Sequence, residues 1–280
     1  MTKPYNVLSL FDGLSCGQIA LQRAGIPVAN YFASEIKPHA IKCTQTNFPQ
    51  TIQLGNILDI KTSELPRIDI IIGGSPCKGI SRLNQNQEGL LHKESRLFWE
   101  FAKLLKKLSP TYFLLENTHG NKAATETITE TLGVKPVSIN SKLVSAQNRP
   151  RYYWTNIPIS PLADKNISTL DVFDFSGNEI SEGRRKWLTG ISGQKSIEKG
   201  YTKVNPFPKA GCVTANAHRK WNENYLHKDG KYLHLSRGEL EKLQTLPLGY
   251  SDCLSYEDAY DCIGDGWTVD VIAHIFKGIV

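Results

Sequence analysis

Ile68-Asp69-Ile70-Ile71-Ile72-Gly73-Gly74-Ser75-Pro76-Cys77, followed by Lys78-Gly79-Ile80-Ser81, is the stretch on which the fold turns. An unbroken run of β-branched residues reads as a strand buried on both faces, as in the middle of a parallel sheet. Two glycines and a proline stop it abruptly and set a thiol at the end of that strand. In an open α/β sheet the carboxyl ends of the strands are where ligands bind, so a nucleophile there is well placed for chemistry. The alternative is an inert buried thiol, the usual fate of a free cysteine. The stretch alone leaves both open.

On either side the pattern is strand, helix, strand. Residues 5–11 alternate as a strand and run into Asp12-Gly13-Leu14-Ser15-Cys16-Gly17 before a helical stretch at 18–24 that Gly25 closes. Residues 28–33 supply the next strand, with Glu35 at its carboxyl end. Its distance from the turn, about 20 residues, is that of a carboxylate that binds both ribose hydroxyls of a nucleoside. The loop lacks the full G-x-G-x-x-G, which argues against a dinucleotide, and a plain βαβ turn with a surface glutamate is the alternative. Residues 38–47 read as a helix and 51–54 as a short strand, followed by Gly55-Asn56-Ile57. After the cysteine, 82–95 is polar and long enough to serve as a lid. Leu97, Phe98, Phe101, Leu104, Leu105 and Leu108 then fall on one helix face.

Tyr112-Phe113-Leu114-Leu115 is a further buried strand, ending in Glu116-Asn117-Thr118. Residues 134–139 and 143–146 have strand character. Arg149 and Arg151, one residue apart in an extended segment, are expected to point to the same side, toward an anion or a base edge. From 157 to 232 periodicity fades, and 12 lysines and arginines stand against 8 acids. We read this as a separate small lobe with a short strand at 211–215; a basic excess of this size is most simply a solvated face. Ser236-Arg237-Gly238-Glu239 is a capping box opening a helix that stops before Pro247. Gly264-Asp265-Gly266-Trp267 reads as a turn. Helical spacing at Val269, Ile272, Ala273 and Phe276 then returns the chain to the first lobe.

Composition bounds the rest. A chain of 280 residues with 40% apolar and 9% aromatic residues and a net charge of +6 is a folded protein with a large core. No apolar run approaches the roughly 20 residues that span a bilayer, and the N-terminus leads into a strand rather than a signal peptide. A cytoplasmic protein without a membrane partner is expected. The six cysteines form no C-x-x-C pair, so no metal site and no disulfide framework is expected.

Taken in order, the motifs resemble those of the DNA cytosine-5 methyltransferases over essentially the whole chain. Phe11-Asp12-Gly13 with Gly17 resembles the cofactor loop, Pro76-Cys77 the nucleophile motif, Glu116-Asn117 the base-binding motif, and Gln147-x-Arg149-x-Arg151 the next catalytic motif. The helix from 236 with Gln244, Pro247 and Tyr250 resembles the penultimate block. Ser9-Leu10-Phe11-Asp12-Gly13, Gly73-Gly74-Ser75-Pro76-Cys77, Arg96-Leu97-Phe98 and Arg151-Tyr152-x-Trp154 are most like the catalytic domain of the animal de novo enzymes. The compact length is more like a bacterial or phage enzyme, whether of a restriction-modification pair or an orphan methylase. The resemblance implies an α/β, Rossmann-like S-adenosylmethionine-dependent methyltransferase fold, a mixed, mostly parallel sheet with helices on both faces and a small target-recognition lobe. It divides the chain into a catalytic and cofactor-binding domain at 1–156, a target-recognition domain at 157–232 and a C-terminal segment at 233–280 that completes the first.

The same resemblance assigns roles. Cys77 as thiolate attacks C6 of a flipped cytosine, Glu116 holds N3 and the exocyclic amine, and Arg149 and Arg151 orient the base and its phosphate and keep Cys77 ionised. S-adenosylmethionine, leaving as S-adenosylhomocysteine, has its ribose on Glu35 and its adenine between Ile36 and Ile57, near Asn56. Phe11, Asp12, Gly13, Leu14, Ser15 and Cys16 line its methionine part, with Pro76, Leu97, Asp265, Gly266 and Trp267 completing the pocket. Double-stranded DNA is the partner, with no obligate protein partner in evidence. Ser81, Arg82 and Leu83 are the lid's contacts to it, Leu83 as the wedge. Lys209, Thr214, Asn216, His218, Arg219 and Lys220 are those of the recognition lobe. The chain departs from the family pattern at Asn56, where aspartate is usual, at Thr118 for valine, at Lys78-Gly79-Ile80, and at Asp265. RNA methylation is the competing reading, weakened by the absence of the cysteine-phenylalanine-threonine signature of the tRNA-acting relatives.

Overall fold

The computed structural model describes residues 3–76, 97–120 and 122–279. Cys77, Ser81, Arg82, Leu83 and the expected lid lie outside the described residues. Two compact units are present: one made of residues 1–139, 150–161 and 270–280, the other of 140–149 and 162–269.

The first unit is built on seven strands, β1 (Tyr5–Leu10), β2 (Val28–Ser34), β3 (Ile52–Gln53), β4 (Ile70–Gly74), β5 (Tyr112–Thr118), β6 (Val137–Asn140) and β7 (Pro150–Thr155). They lie in the order β3-β2-β1-β4-β5-β7-β6. β1 to β5 pair in parallel and β7 runs antiparallel to β5. The chain therefore fills one side of β1 with β2 and β3, then crosses to β4 on the other side. That reversal places a crevice beyond the carboxyl ends of β1 and β4, where open α/β sheets take their ligands. Helices α1 (Cys16–Ala24), α2 (Pro38–Asn47), α3 (Leu97–Leu108) and α4 (Lys122–Leu132) belong to the same unit.

The isoleucine run forms the expected central strand, with Ile70, Ile71 and Ile72 fully buried. It continues two residues further than the apolar run, through Gly73 and Gly74. A Cβ at Gly73 would stand 2.9 Å from the Leu10 carbonyl oxygen and 3.1 Å from the Phe101 ring. Glycine is what lets β1, β4 and α3 close on one another. Phe98, Phe101 and Leu104 are buried in the same cluster as Leu8, Leu10, Ile71 and Leu115, with Leu97, Leu105 and Leu108 packed against it, so the helix face read from the spacing is the face that packs. Each buried phenylalanine contributes roughly 1.5–3 kcal/mol. Trp154, 1% exposed, satisfies its indole N–H on Thr129 Oγ1 at 3.0 Å. The helix Val269–Phe276 carries a fully buried Ile272, Ile275 and Phe276, and Asp270 pairs with Arg23 at 2.8 Å.

The second unit contains α5 (Glu182–Thr189), α6 (Ile191–Glu198), α7 (Ala217–Lys220), α8 (Arg237–Leu243) and α9 (Tyr256–Asp265), and a three-stranded sheet of β8 (Lys203–Val204), β9 (Asn224–Lys228) and β10 (Lys231–His234). β9 and β10 form a hairpin whose turn residues Asp229 and Gly230 both have positive φ, 51° and 76°. The capping box at Ser236 forms as expected, Ser236 N–H donating to Glu239 Oε2 at 2.7 Å and Glu239 N–H to Ser236 Oγ at 3.2 Å. Residues 233–269 group by packing with this unit: Glu239 Oε1 accepts from the N–H groups of Asp174 and Phe175, both at 2.9 Å. Two strand expectations fail. Residues 211–215 and 143–146 make no strand: the N–H groups of Gly211 and Val213 donate to the side chains of Asn224 and Gln147, and the carbonyls of Leu143 and Ala146 accept from the N–H groups of Lys165 and Ala210. Helices α4, α5, α6, α7 and α9 and the hairpin are additions to the elements expected from the sequence.

Among the described residues, no helix is long and apolar enough to cross a membrane. Gly73→Ala is expected to lower stability by about 1–3 kcal/mol through overpacking between β1, β4 and α3. Urea unfolding midpoints check this, and an unchanged midpoint would show that the strands can part without cost.

Candidate active site

The carboxyl end of β1 runs into a loop with three residues in the left-handed region, Phe11 (φ 59°), Gly13 (φ 58°) and Ser15 (φ 56°). Two of the three are not glycine, and such backbone concentrates at functional sites. The loop is fastened to the end of β2. Asp12 N–H donates to Ser34 O at 3.1 Å, and Gly13 N–H donates to Glu35 Oε2 at 2.9 Å. Glu35 Oε1 accepts from Ile36 N–H at 2.7 Å and Lys37 N–H at 2.9 Å. Three backbone donors thus fix one carboxylate at the strand end. Ile36 beside it is 67% exposed while Ile57 is buried. Asn56 caps the short 3₁₀ turn Ile57–Asp59, its Oδ1 accepting from Leu58 N–H at 3.1 Å. Ser34 Oγ donates to Gly55 O at 2.8 Å and so ties this turn to the end of β2.

Asp12 is the unusual group. Its Oδ1 accepts from the Tyr31 hydroxyl at 2.8 Å, whereas its Oδ2 is buried without a hydrogen-bond partner. Burial pushes its carboxyl up to about 6, with the Glu35 charge adding, while the hydroxyls of Ser9, Ser15 and Tyr31 pull the other way. A nucleoside cofactor carrying a cationic centre fits this loop: a preset carboxylate for ribose hydroxyls, apolar Ile36 and Ile57, and an acceptor in want of a donor. Tyr31 and Gln53 were not singled out by the sequence. Gln53, on β3, has both amide atoms buried and unpartnered, and no motif in the sequence signals it.

At the other side of the crevice β4 ends at Gly74, which lies beside Glu116 in the register with β5. Asn117, 1% exposed, donates from Nδ2 to both Ser75 O and Ser75 Oγ at 3.1 Å. This holds the segment that leads into Pro76. Glu116 and Arg151 form an ion pair, Oε1 to Nε 2.9 Å, with side chains only 10% and 11% exposed. Their closeness follows from the antiparallel register that sets Thr118 opposite Arg151 and Glu116 opposite Tyr153.

Arg149 requires a correction. It precedes β7, so the period-two alternation that aligned it with Arg151 does not reach it. It is 4% exposed and spent within the second unit: Nη1 donates to Val213 O at 2.6 Å and to Cys212 Sγ at 3.3 Å, Nη2 to Gly264 O at 3.1 Å and Gly266 O at 2.8 Å. Gln147 and Gln244 extend the network. Gln147 Oε1 accepts from Val213 N–H at 2.7 Å, its Nε2 donates to Gln244 Oε1 at 3.2 Å, and Gln244 Nε2 donates to Ile263 O at 2.9 Å and Gly266 O at 3.1 Å. Asp265 ends α9 and Gly266 is its C-cap, with Trp267 following; all three lie in the second unit.

The DNA candidates of the second unit divide. Thr214, Asn216, Arg219 and Lys220 are exposed. Lys209 is not available, because its ammonium donates to the carbonyls of Lys142 (2.6 Å), Ser145 (3.0 Å) and Ile167 (2.5 Å), which uses all three hydrogens. His218 is buried at 7% exposure, and burial lowers its proton affinity despite Asp261 at 3.7 Å. Both were named from the resemblance of their segment to a recognition lobe, which does not say where each side chain goes. This unit also carries an open pocket of about 490 Å³ bordered by Arg184, His218, His234 and Tyr256; Arg184 and His234 there are committed to the buried Glu223 at 2.5 and 3.2 Å.

Two measurements test this geometry. Between pH 4 and 6 the folded protein holds the Asp12 proton that the unfolded chain has released. Wild-type stability relative to Asp12→Asn should therefore fall as pH rises through that window and level off above it, read as the difference in Tm. Arg149→Lys, which keeps the charge but loses the planar fork, should cost about 2 kcal/mol or more in denaturant unfolding by leaving buried carbonyls unpaired.

A family model described as C-5 cytosine-specific DNA methylase matches residues 5–157. The type II methyltransferase M.NgoBV of Neisseria gonorrhoeae is 31% identical over 170 residues, covering 53% of this chain and 40% of that protein. The orphan methyltransferase M.SPRI of Bacillus phage SPR is 31% identical over 116 residues, 41% of this chain and 26% of that protein. The chain thus spans less than half the length of these curated relatives. The solved structure of the Entamoeba histolytica methyltransferase EhMeth superposes with a TM-score of 0.77 at 16% identity, covering 99% of this chain and 98% of that one, a likeness of fold. With more than half of the chain matched by this model, the protein belongs to the C-5 cytosine-specific DNA methylase family.

Proposed function

We propose that this chain transfers a methyl group from S-adenosylmethionine to C5 of a cytosine flipped out of duplex DNA. The observation that carries the reading is the buried Glu116–Arg151 pair at 2.9 Å beside the end of β4, in a chain of this family. C5 of cytosine is a weak nucleophile. Addition of the Cys77 thiolate to C6 would break the C5=C6 double bond and leave an enamine with its electron density at C5. Once C5 carries the methyl group, loss of its proton and cleavage of the S–C6 bond restore the ring. Glu116, oriented by Arg151, would hold the base by N3 and the exocyclic amine and favour the protonated ring as charge develops. Asn117 would keep the Ser75-Pro76 segment in register while this happens.

When bound, S-adenosylmethionine supplies an electrophilic methyl group. Glu35 would hold its ribose hydroxyls, Ile36 and Ile57 its adenine, and the loop from Phe11 to Cys16 its methionine part, with Asp12 facing the cationic end as a carboxylate. Asn56, Pro76 and Leu97 are further members of this set. The target carbon is unreachable in a stacked duplex, so the base must be extruded at a cost on the order of a few kcal/mol. Phosphate contacts would come from exposed cations of the second unit such as Lys220.

Covalent trapping on a duplex carrying 5-fluorocytosine, where the last elimination is blocked, tests the reading. A stable adduct mapped to Cys77 and lost in Cys77→Ala is expected. An adduct that survives the substitution overturns the nucleophile, and transfer to RNA with none to duplex DNA overturns the substrate.

A further inference from the structure

Among the described residues, 211–220 of the second unit have no strand partner, yet their backbone is held by side chains at several points. Gly211 N–H donates to Asn224 Oδ1 at 2.8 Å, Val213 N–H to Gln147 Oε1 at 2.7 Å, and Val213 O accepts from Arg149 at 2.6 Å. Against α9 the approach is backbone to backbone: a Cβ on Gly264 would lie 2.3 Å from Ala215 N. Directly after this contact the chain turns through Asn216 in the left-handed conformation, φ 63°. One side chain of α9 spans the turn. Asp261 Oδ1 accepts from Asn216 N–H at 2.8 Å, and its Oδ2 meets Arg219 Nη1 at 2.6 Å. The Asp261 side chain is 15% exposed and that of Arg219 50%, so the carboxylate sits behind the guanidinium and the guanidinium faces solvent.

Arg219 Nη1 donates to Asn216 Oδ1 and lies in an ion pair with Asp261 Oδ2, so this corner of the guanidinium is held against the protein. Among the described residues no acceptor takes Nε or Nη2. These two atoms form the remaining bidentate edge of the planar guanidinium, held in direction by the hydrogen bond and the ion pair at Nη1. A paired, pre-oriented donor edge on an exposed turn matches the O6 and N7 acceptors of guanine in the major groove, the commonest specific contact of an arginine. A free surface arginine would lose rotamer entropy on making that contact, whereas one held from behind has lost most of it already. The same fork can also grip a phosphate, a contact that carries no sequence information, so a guanine preference in the methylation profile is what separates the two.

Resting on the duplex-DNA reading above, we infer that Asp261 is a positioning residue that holds Arg219 as the reader of a guanine in the target sequence. The test is the methylation profile on duplex DNA randomised around a fixed cytosine, with kcat, KM and Tm measured in parallel. Wild type should favour guanine at one flanking position. Arg219→Lys, which keeps the charge but loses the fork, should reduce that preference on the order of tenfold. Asp261→Asn keeps an acceptor for the Asn216 N–H and loses the charge behind Arg219. It should reduce the same preference in the same position by about threefold or more, raising KM for the preferred duplex with little change in kcat.

A variant that lowers activity on all sequences alike and leaves the profile intact would show a merely structural role and overturn the inference. So would a wild-type profile without guanine preference. If Asp261→Asn does not fold, the Arg219→Lys profile decides alone, an unchanged preference refuting the assignment. Failure of the wild type to methylate any duplex refutes the function proposed above, a result separate from methylation without guanine selection, which refutes only this inference.

Discussion

The polar groups at the carboxyl ends of the central strands must be satisfied inside a crevice that the sheet itself creates. β1, β4 and β5 end side by side, each delivering its last residues from a buried strand, and an unpaired polar group there would cost about 1–3 kcal/mol. The first unit solves this locally. Asn117 binds the backbone and hydroxyl of Ser75, Arg151 pairs with Glu116, and three backbone N–H groups take the Glu35 carboxylate. Asp12 Oδ2 is left without a partner, and burial raises the proton affinity of that carboxyl. The chemistry proposed for the chain uses the same groups that keep the strand ends in place.

The second unit is organised by a different device. Gln147, Arg149 and Gln244 satisfy backbone carbonyls and N–H groups at 213, 243, 263, 264 and 266, so segments distant in sequence share one buried polar network. Such a network is valuable only when complete, and here the long planar or amide side chains reach several acceptors each. The segment carrying Thr214, Asn216, Arg219 and Lys220 therefore needs no strand partner to be well defined. Its exposed side chains are presented by a backbone fastened from behind, through Arg149, Gly264 and Asp261.

Much of the first unit was legible in the chain. The isoleucine run, the turn after β1, Glu35 after β2 and the apolar face of α3 all arise from local periodicity and turn chemistry, and each forms near where the pattern places it. The capping box at Ser236 is local in the same sense. The second unit was legible only in outline, because its helices are short, its strands few, and its order comes from side chains meeting backbone across long separations. Arg149 shows the limit. Its motif spacing beside Arg151 is visible in the sequence, but strand alternation begins only at Pro150, and nothing local says that its guanidinium turns to Val213, Gly264 and Gly266.

By itself, then, the sequence determined the alternation of strands and helices, the identity of the polar residues at the strand ends and the family to which their order points. Those features depend on neighbours within a few residues, where periodicity and turn preferences act. The tertiary structure alone decided which of those polar residues meet. It joined Glu116 to Arg151, closed β4 on Leu10 at a glycine, buried His218, spent Lys209 on three carbonyls and set Asp261 behind Arg219. A hydrogen bond depends on distance and direction between atoms, and those are fixed by strand register and packing, which spacing along the chain does not encode.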